Sequence, residues 1–296
     1  MVTQEKLINE PIQDNEFFDK ISEDIKKDLI ILLSERGHGK TSSLRTIVDY
    51  CNKQHKDITF KCFDLSMTWY HCAPMKYRQH ITLEKIKRGQ IANICDCVYE
   101  IGALTQEMRR AFVGEIVLQD WVKRYDLKRE NPKALKNKPW IIYIFEESNC
   151  YFGSYSFRKS DNYSAVLQDF VSVGRNYRLG AFLVATAEQG ELSPSLRRRT
   201  KKIYGRIISE GDLRTIKRYS KYLGEYLKSI PRYNFVYYSG QIYGPTHIKD
   251  VVTNVPMDYV IEESMLEVKK GYNWSSFIFW VLFWLGLIWL FLEYFR

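Results

Sequence analysis

The segment Asp28-Leu29-Ile30-Ile31-Leu32-Leu33-Ser34-Glu35-Arg36-Gly37-His38-Gly39-Lys40-Thr41 constrains the fold more than any other part of the chain. A short apolar run of strand length feeds a glycine-bearing turn. The turn closes on Gly-Lys-Thr, where a helix-forming stretch opens and continues to Tyr50. That order is what a phosphate-binding loop needs. Gly37 and Gly39 let backbone N–H groups turn towards phosphate oxygens, Lys40 reaches the β- and γ-phosphates, and Thr41 offers its hydroxyl to Mg²⁺. The helix that follows points its positive end at the same place. The expected nucleotide contacts are therefore Ser34, Glu35, Arg36, Gly37, His38, Gly39, Lys40, Thr41 and Ser42. Against the pattern G-x-x-x-x-G-K-[ST], the first glycine is Ser34, a departure where a tight turn favours glycine.

Strand and helix signals alternate along the rest of the chain. Ile58 to Leu65 reads as a second strand with Asp64 at its end. Residues 78 to 126 carry helix formers with apolar residues at helical spacing, which predicts two or three helices. Lys128 to Pro139 reads as a charged connector, and Trp140 to Phe145 as a fully apolar strand suited to the centre of a parallel sheet covered on both faces. Asn162 to Asn176 reads as helix, Gly180 to Thr186 as strand, Lys202 to Ile208 as a shorter strand and Asp212 to Ser229 as helix. Asn234–Ser239 and Gln241–Tyr243 form a hairpin pattern, and Met1 to Lys27 is polar and helix-prone. The alternation predicts an α/β fold, a doubly wound and mostly parallel sheet with helices on both faces.

Hydrolysis of a nucleoside triphosphate needs an acid near Mg²⁺ and a base that orients water, both at the end of a strand beside the phosphate loop. Phe145-Glu146-Glu147 meets that requirement, with Glu146 in the Mg²⁺ shell and Glu147 acting on water. The magnesium position is more often Asp, so the division of roles stays open. A guanine-specific enzyme would carry Asn-Lys-x-Asp after the acidic strand. Here Asn137-Lys138 precedes that strand and runs into Pro139-Trp140, so ATP is the expected nucleotide.

A chain of 296 residues holds one large α/β domain or two small ones. The net charge of +9 suits an anionic partner without choosing among them. The local run Arg197-Arg198-Arg199-Thr200-Lys201-Lys202 is either a phosphate contact or a solvated face. The cysteines show no C-x-x-C spacing, which favours free thiols over a metal site.

The end of the chain has a different character. From Trp274 to Phe295 it reads WSSFIFWVLFWLGLIWLFLEYF, with an uninterrupted apolar core from Phe277 to Leu292. With its flanks it reaches the roughly 20 residues that cross a hydrocarbon core. No face of it is polar, and its aromatics cluster at the ends as well as within, as interfacial anchoring predicts. A single C-terminal span is expected, with the charged bulk of the chain in the cytosol. The expected division is a helical extension over 1–28, an ATPase domain over 29–265, a linker over 266–273 and the span over 274–296.

Gly174-Arg175-Asn176-Tyr177-Arg178-Leu179-Gly180-Ala181-Phe182-Leu183-Val184-Ala185-Thr186 resembles a segment of HerA/FtsK-superfamily motors. In those proteins a helix ending in Gly-Arg or Ala-Arg leads into a strand closing on Ala-Thr-Gln. Leu192-Ser193-Pro194-Ser195-Leu196 followed by Ile203-Tyr204-Gly205-Arg206 is similar to their later segment. The resemblance implies a RecA-like (ASCE) P-loop ATPase that forms a ring, usually a hexamer, and pulls double-stranded DNA. It further implies Thr186 or Gln189 as γ-phosphate sensor and an arginine reaching the neighbouring subunit's nucleotide, with Arg175 and Arg206 as candidates and Arg178 behind them. Relatives in genome packaging, conjugation and virion extrusion, including zonula-occludens-toxin-like proteins with a membrane span, resemble this arrangement. The expected activity is ATP hydrolysis coupled to movement of DNA or nucleoprotein at a membrane, in a viral or mobile-element setting. A membrane ATPase acting on protein cargo and a nucleotide-binding switch are the alternatives.

Overall fold

In the computed structural model, residues 14–69, 72, 74–152, 162–186, 192–193, 196–197 and 200–248 are described. The first strand, β1 (Leu29–Leu33), is buried along its whole length, and its side chains divide between the two faces of the sheet. Leu29, Ile31 and Leu33 join one apolar cluster, whereas Ile30 and Leu32 join a second. A period-two strand that is apolar on both sides needs a cover on each, and helices supply it. On one face lie α1 (Asp14–Asp24), through Phe17 and Ile21, and α2 (Lys40–Gln54), through Leu44, Ile47, Val48 and Cys51.

The other face is covered by helices that come later in the chain. The long helix following β2 (Ile58–Asp64), β3 (Tyr77–His80), the short α3 (Leu83–Arg88) and β4 (Cys97–Glu100) is α4 (Gln106–Glu130), which brings Phe112, Val113, Ile116 and Val117 to the sheet. Beyond the short α5 (Pro132–Lys136), β5 (Trp140–Phe145) and α6 (Asn149–Phe152), α7 (Asn162–Val173) adds Leu167 and Phe170. A short 3-10 turn (Gly174–Tyr177) then leads into β6 (Leu179–Ala185) and β7 (Thr200–Tyr204). The helices α8 (Glu210–Tyr219) and α9 (Lys221–Ser229) precede β8 (Asn234–Tyr238) and β9 (Ile242–His247).

Nine strands form one sheet in the order β3-β4-β2-β5-β6-β1-β7-β8-β9. All pairings from β3 across to β7 are parallel, and only β7–β8 and β8–β9 are antiparallel. The expected mostly parallel, two-faced sheet is thus present. Three expectations need correction. Residues 78–126 hold two strands besides helix, because β3 and β4 have only four residues each and leave no periodicity to read. Asp212–Ser229 is two helices, since the Ser220 hydroxyl accepts from the Leu223 N–H and caps a new start. The connector after Lys128 is helical, with α4 running to Glu130 and the Asn131 side chain capping α5 ahead of Pro132.

Among the described residues no helix is long and apolar enough to cross a membrane. The expected span at 274–296 lies outside them.

Candidate nucleotide site

The segment 34–39 leaves β1 at its carboxyl end and runs straight into α2. Gly37 and Gly39 take φ of +82° and +83°, values that side chains rarely adopt, and Gly39 caps the helix from this left-handed conformation. The lysine ammonium of Lys40 folds back and donates to the carbonyls of Ser34 (2.7 Å) and Glu35 (3.1 Å). That clamp closes the loop into a compact turn at the start of α2, where the first N–H groups of a helix favour an anion.

Ser34 departs from the motif without strain. Its φ is not left-handed, so glycine's freedom is not needed there. Room for its side chain comes from Gly205 at the end of β7, where an added Cβ would overlap the Ser34 hydroxyl and crowd the Phe235 ring.

Thr41 and Glu146, separated by 105 residues, meet: the threonine hydroxyl donates to Glu146 Oε1 at 3.1 Å. The expectation that the acidic strand lies next to the phosphate-loop strand is not met, because β6 stands between β5 and β1. The reach of the loop and the first turn of α2 bridges that gap. Glu146 is nearly buried and also accepts from Trp69 Nε1–H (2.7 Å) and from the Ser66 hydroxyl at Oε2 (3.1 Å). Burial first, and then the charge of Asp64, raises its pKa to about 7.

Asp64 is a site residue that motif reasoning missed. It is fully buried and accepts the backbone N–H groups of Ser66 (2.9 Å) and Trp69 (3.0 Å). A signal was present in that two apolar strands each end on an acid. The parallel register pairs Phe63 with Phe145, so the next residues, Asp64 and Glu146, emerge side by side. Two crowded carboxylates beside a hydroxyl form an oxygen donor set suited to a hard divalent cation. Trp69 was missed as well, since nothing in a polar loop announces that its indole will be buried against an acid.

Glu147 is exposed and holds φ of +48°, an unusual conformation for a glutamate that turns its side chain out of line with the strand. Thr186 follows β6 at the same end of the sheet, between the phosphate loop and the acidic turn, whereas Gln189 lies outside the described residues. Arg206 pairs with Glu35 at 3.4 Å, and its carbonyl accepts from the Glu35 N–H, so it flanks its own phosphate loop. His38 sits 3.7 Å from Glu35, and burial lowers its pKa, with Arg206, Arg232 and Lys40 adding to the effect. Ser42 and Arg36 lie on the same loop and helix start.

Arg175 is elsewhere. It lies at the opposite end of β6, about 20 Å of strand away by the usual rise. There it lines a cavity of about 430 Å³ with Lys26, Lys27 and Trp140. Arg178 takes a left-handed turn beside it, stacks over Trp140 at 5.2 Å and pairs with Asp57 at 3.4 Å. Of the basic run, Arg198 and Arg199 lie outside the described residues, and Lys202 is buried in β7, donating to the Arg197 carbonyl at 2.8 Å.

No protein-family model and no curated protein matches the sequence. Solved structures do. B204, the genome packaging NTPase of Sulfolobus turreted icosahedral virus 2, in complex with ATP-gammaS gives a TM-score of 0.53 at 15% identity, covering 76% of this chain and 99% of that one. Its complex with AMPPCP gives 0.52 at 16% identity over 75% and 99% of the two chains. B204, the DNA-packaging ATPase from Sulfolobus Turreted Icosahedral Virus, gives 0.51 at 17% identity over 74% and 98%. The chain has a P-loop NTPase fold. At that level the resemblance expected from the motifs is borne out.

Proposed function

We propose that this chain is an ATPase of the P-loop motor type, which couples ATP hydrolysis to movement of DNA or nucleoprotein, as in genome packaging. The observation that carries the proposal is the Thr41–Glu146 hydrogen bond, which unites the two halves of a hydrolytic site from distant parts of the sequence. The loop at 34–39 cradles the phosphates, and Lys40 exchanges its carbonyl partners for phosphate oxygens. Thr41 and Glu146, supported by Asp64, would hold Mg²⁺, which would supply neutralisation of charge on the phosphates. Glu147 orients the attacking water, and Thr186 or Gln189 senses the γ-phosphate.

The packaging reading takes its support from the fold shared with B204 and from the basic balance of the chain. Arg175, too far along the strand to reach its own phosphate loop, is the candidate for a finger in trans; Arg206, beside its own loop, is the candidate in cis. A ring follows from a finger in trans, and a hexamer is the usual form. The apolar segment 274–296 anchors the assembly in a membrane, with the ATPase on the cytosolic side. A viral or mobile-element origin fits the packaging neighbours.

The test is ATP turnover by the full-length chain in detergent, with and without double-stranded DNA. Lys40→Ala abolishes turnover, and Glu147→Gln binds ATP while losing about 100-fold or more in rate. Full turnover by Glu147→Gln removes that residue from the mechanism. Turnover that depends on Glu147 yet ignores DNA moves the cargo from nucleic acid to protein.

A further inference from the structure

The phosphate loop has two flanks, and the carboxylates of the proposed chemistry occupy one. Glu146, Glu147 and Asp64 lie on the side of β5 and β2. On the other side, β1 is followed by β7, β8 and β9. Because β8 runs antiparallel to β7, the loop that leads into it arrives at the same end of the sheet as the phosphate loop. Because β9 is antiparallel again, its last residue, His247, pairs with Asn234 at that end too. The topology therefore delivers Arg232, Tyr233 and His247 to the phosphate loop, though none belongs to a nucleotide motif.

The contact is close. The Tyr233 ring fills the space that a side chain on Gly39 would occupy. The Arg232 guanidinium lies 4.7 Å over that ring, and the His247 ring meets it edge-on at 6.4 Å. Tyr233 itself holds φ of +65°, a conformation kept only where the surroundings enforce it. The Ile248 N–H donates to the Tyr233 carbonyl at 2.8 Å and supplies part of that enforcement. The ring is half-buried and Arg232 is exposed.

We propose that Tyr233, backed by Arg232, is the platform on which the base of the bound nucleotide stacks. A triphosphate with its terminal phosphate at the acidic flank leaves the loop on the other side. The flat, half-exposed pair there offers a base a π-face and a cation. Stacking of this kind is tolerant of base identity, so the platform adds affinity without selecting adenine over guanine.

This inference rests on the nucleotide reading above, and its test separates the two. Affinities of the full-length chain for ATP, GTP and inorganic tripolyphosphate are measured by calorimetry for the wild type and for Tyr233→Leu, Tyr233→Ala and Tyr233→Phe. Leucine keeps apolar bulk against Gly39 while removing the aromatic face. Tyr233→Leu and Tyr233→Ala weaken ATP and GTP about tenfold and leave tripolyphosphate unchanged, and Tyr233→Phe binds all three as the wild type does. Equal loss of tripolyphosphate and ATP in Tyr233→Leu overturns the platform, since the ring then only props the loop. Undiminished ATP affinity in that variant overturns it as well. Failure of the wild type to bind either ATP or tripolyphosphate overturns the nucleotide reading itself.

Discussion

Glu146 carries a folding cost at the position proposed to hold Mg²⁺. Its carboxylate sits among Thr41, Ser66 and Trp69 donors, yet burial and the neighbouring Asp64 favour its neutral form. A carboxyl whose folded pKa is near 7, against an ordinary 4.5, binds its proton more tightly folded than unfolded. Without a divalent cation, stability therefore falls as pH rises from about 4.5 through 7. A cation that replaces the proton reverses this, so Mg²⁺ binding tightens over the same interval. Thermal melts with and without Mg²⁺ at about pH 5 and pH 8 should show stabilisation mainly at the higher pH. In Glu146→Gln the pH dependence and the Mg²⁺ effect should both shrink. An equal Mg²⁺ effect at both pH values would detach the cation from this acid. Lys40, Gly39 and Thr41 were legible as a site from residue type and spacing alone. Asp64 and Tyr233 were not, because each acts through a neighbour distant in sequence.

At the scale of elements, β2 and α4 are joined by a buried charge. Lys61 on β2 is 1% exposed, and its ammonium meets Asp120 of α4 at 2.6 Å. Asp120 also accepts from the Tyr143 hydroxyl on β5 at 2.7 Å, and Asn93 donates to it at 3.2 Å, so three segments share one acid. A lysine at an inward position of an otherwise apolar strand pattern gives no hint of its partner. Removing one member of such a pair leaves an uncompensated buried charge, whereas removing both need not be costly. Lys61→Met should lose about 3–5 kcal/mol in denaturant unfolding. Lys61→Met combined with Asp120→Leu should recover most of that loss. If the double variant is no better than the single, the packing of Lys61 matters more than its charge.

For the whole molecule, the two ends of the sheet have different roles in the proposed ring. The carboxyl ends of the parallel strands hold the phosphate loop, Glu146 and Glu147, and the amino ends hold Arg175 with Lys26 and Lys27 around a cavity. A finger in trans predicts complementation. Lys40→Ala chains have a dead site and an intact finger, whereas Arg175→Ala chains have the reverse. Mixing the two should restore turnover that neither shows alone, read as ATP hydrolysis against mixing ratio. Strict additivity of two inactive preparations would exclude Arg175 as a finger in trans.

Three things were readable from the chain without its fold. The spacing of Gly37, Gly39, Lys40 and Thr41 announced the phosphate loop, because a backbone turn and a helix start are local events. The runs at β1, β5 and β6 announced a covered parallel sheet, because strands buried on both faces must be apolar throughout. The apolar length of 274–296 was legible too, and sets the expectation of a membrane span beyond the described residues. Only the tertiary structure decided which strands are neighbours, and with that which side chains meet. Strand order put β6 between β1 and β5, set Asp64 beside Glu146, and turned β8 so that Tyr233 reaches Gly39. These contacts join residues up to nearly 200 positions apart. No local pattern encodes them, because strand order is chosen by the joint packing of the sheet and its two helical layers.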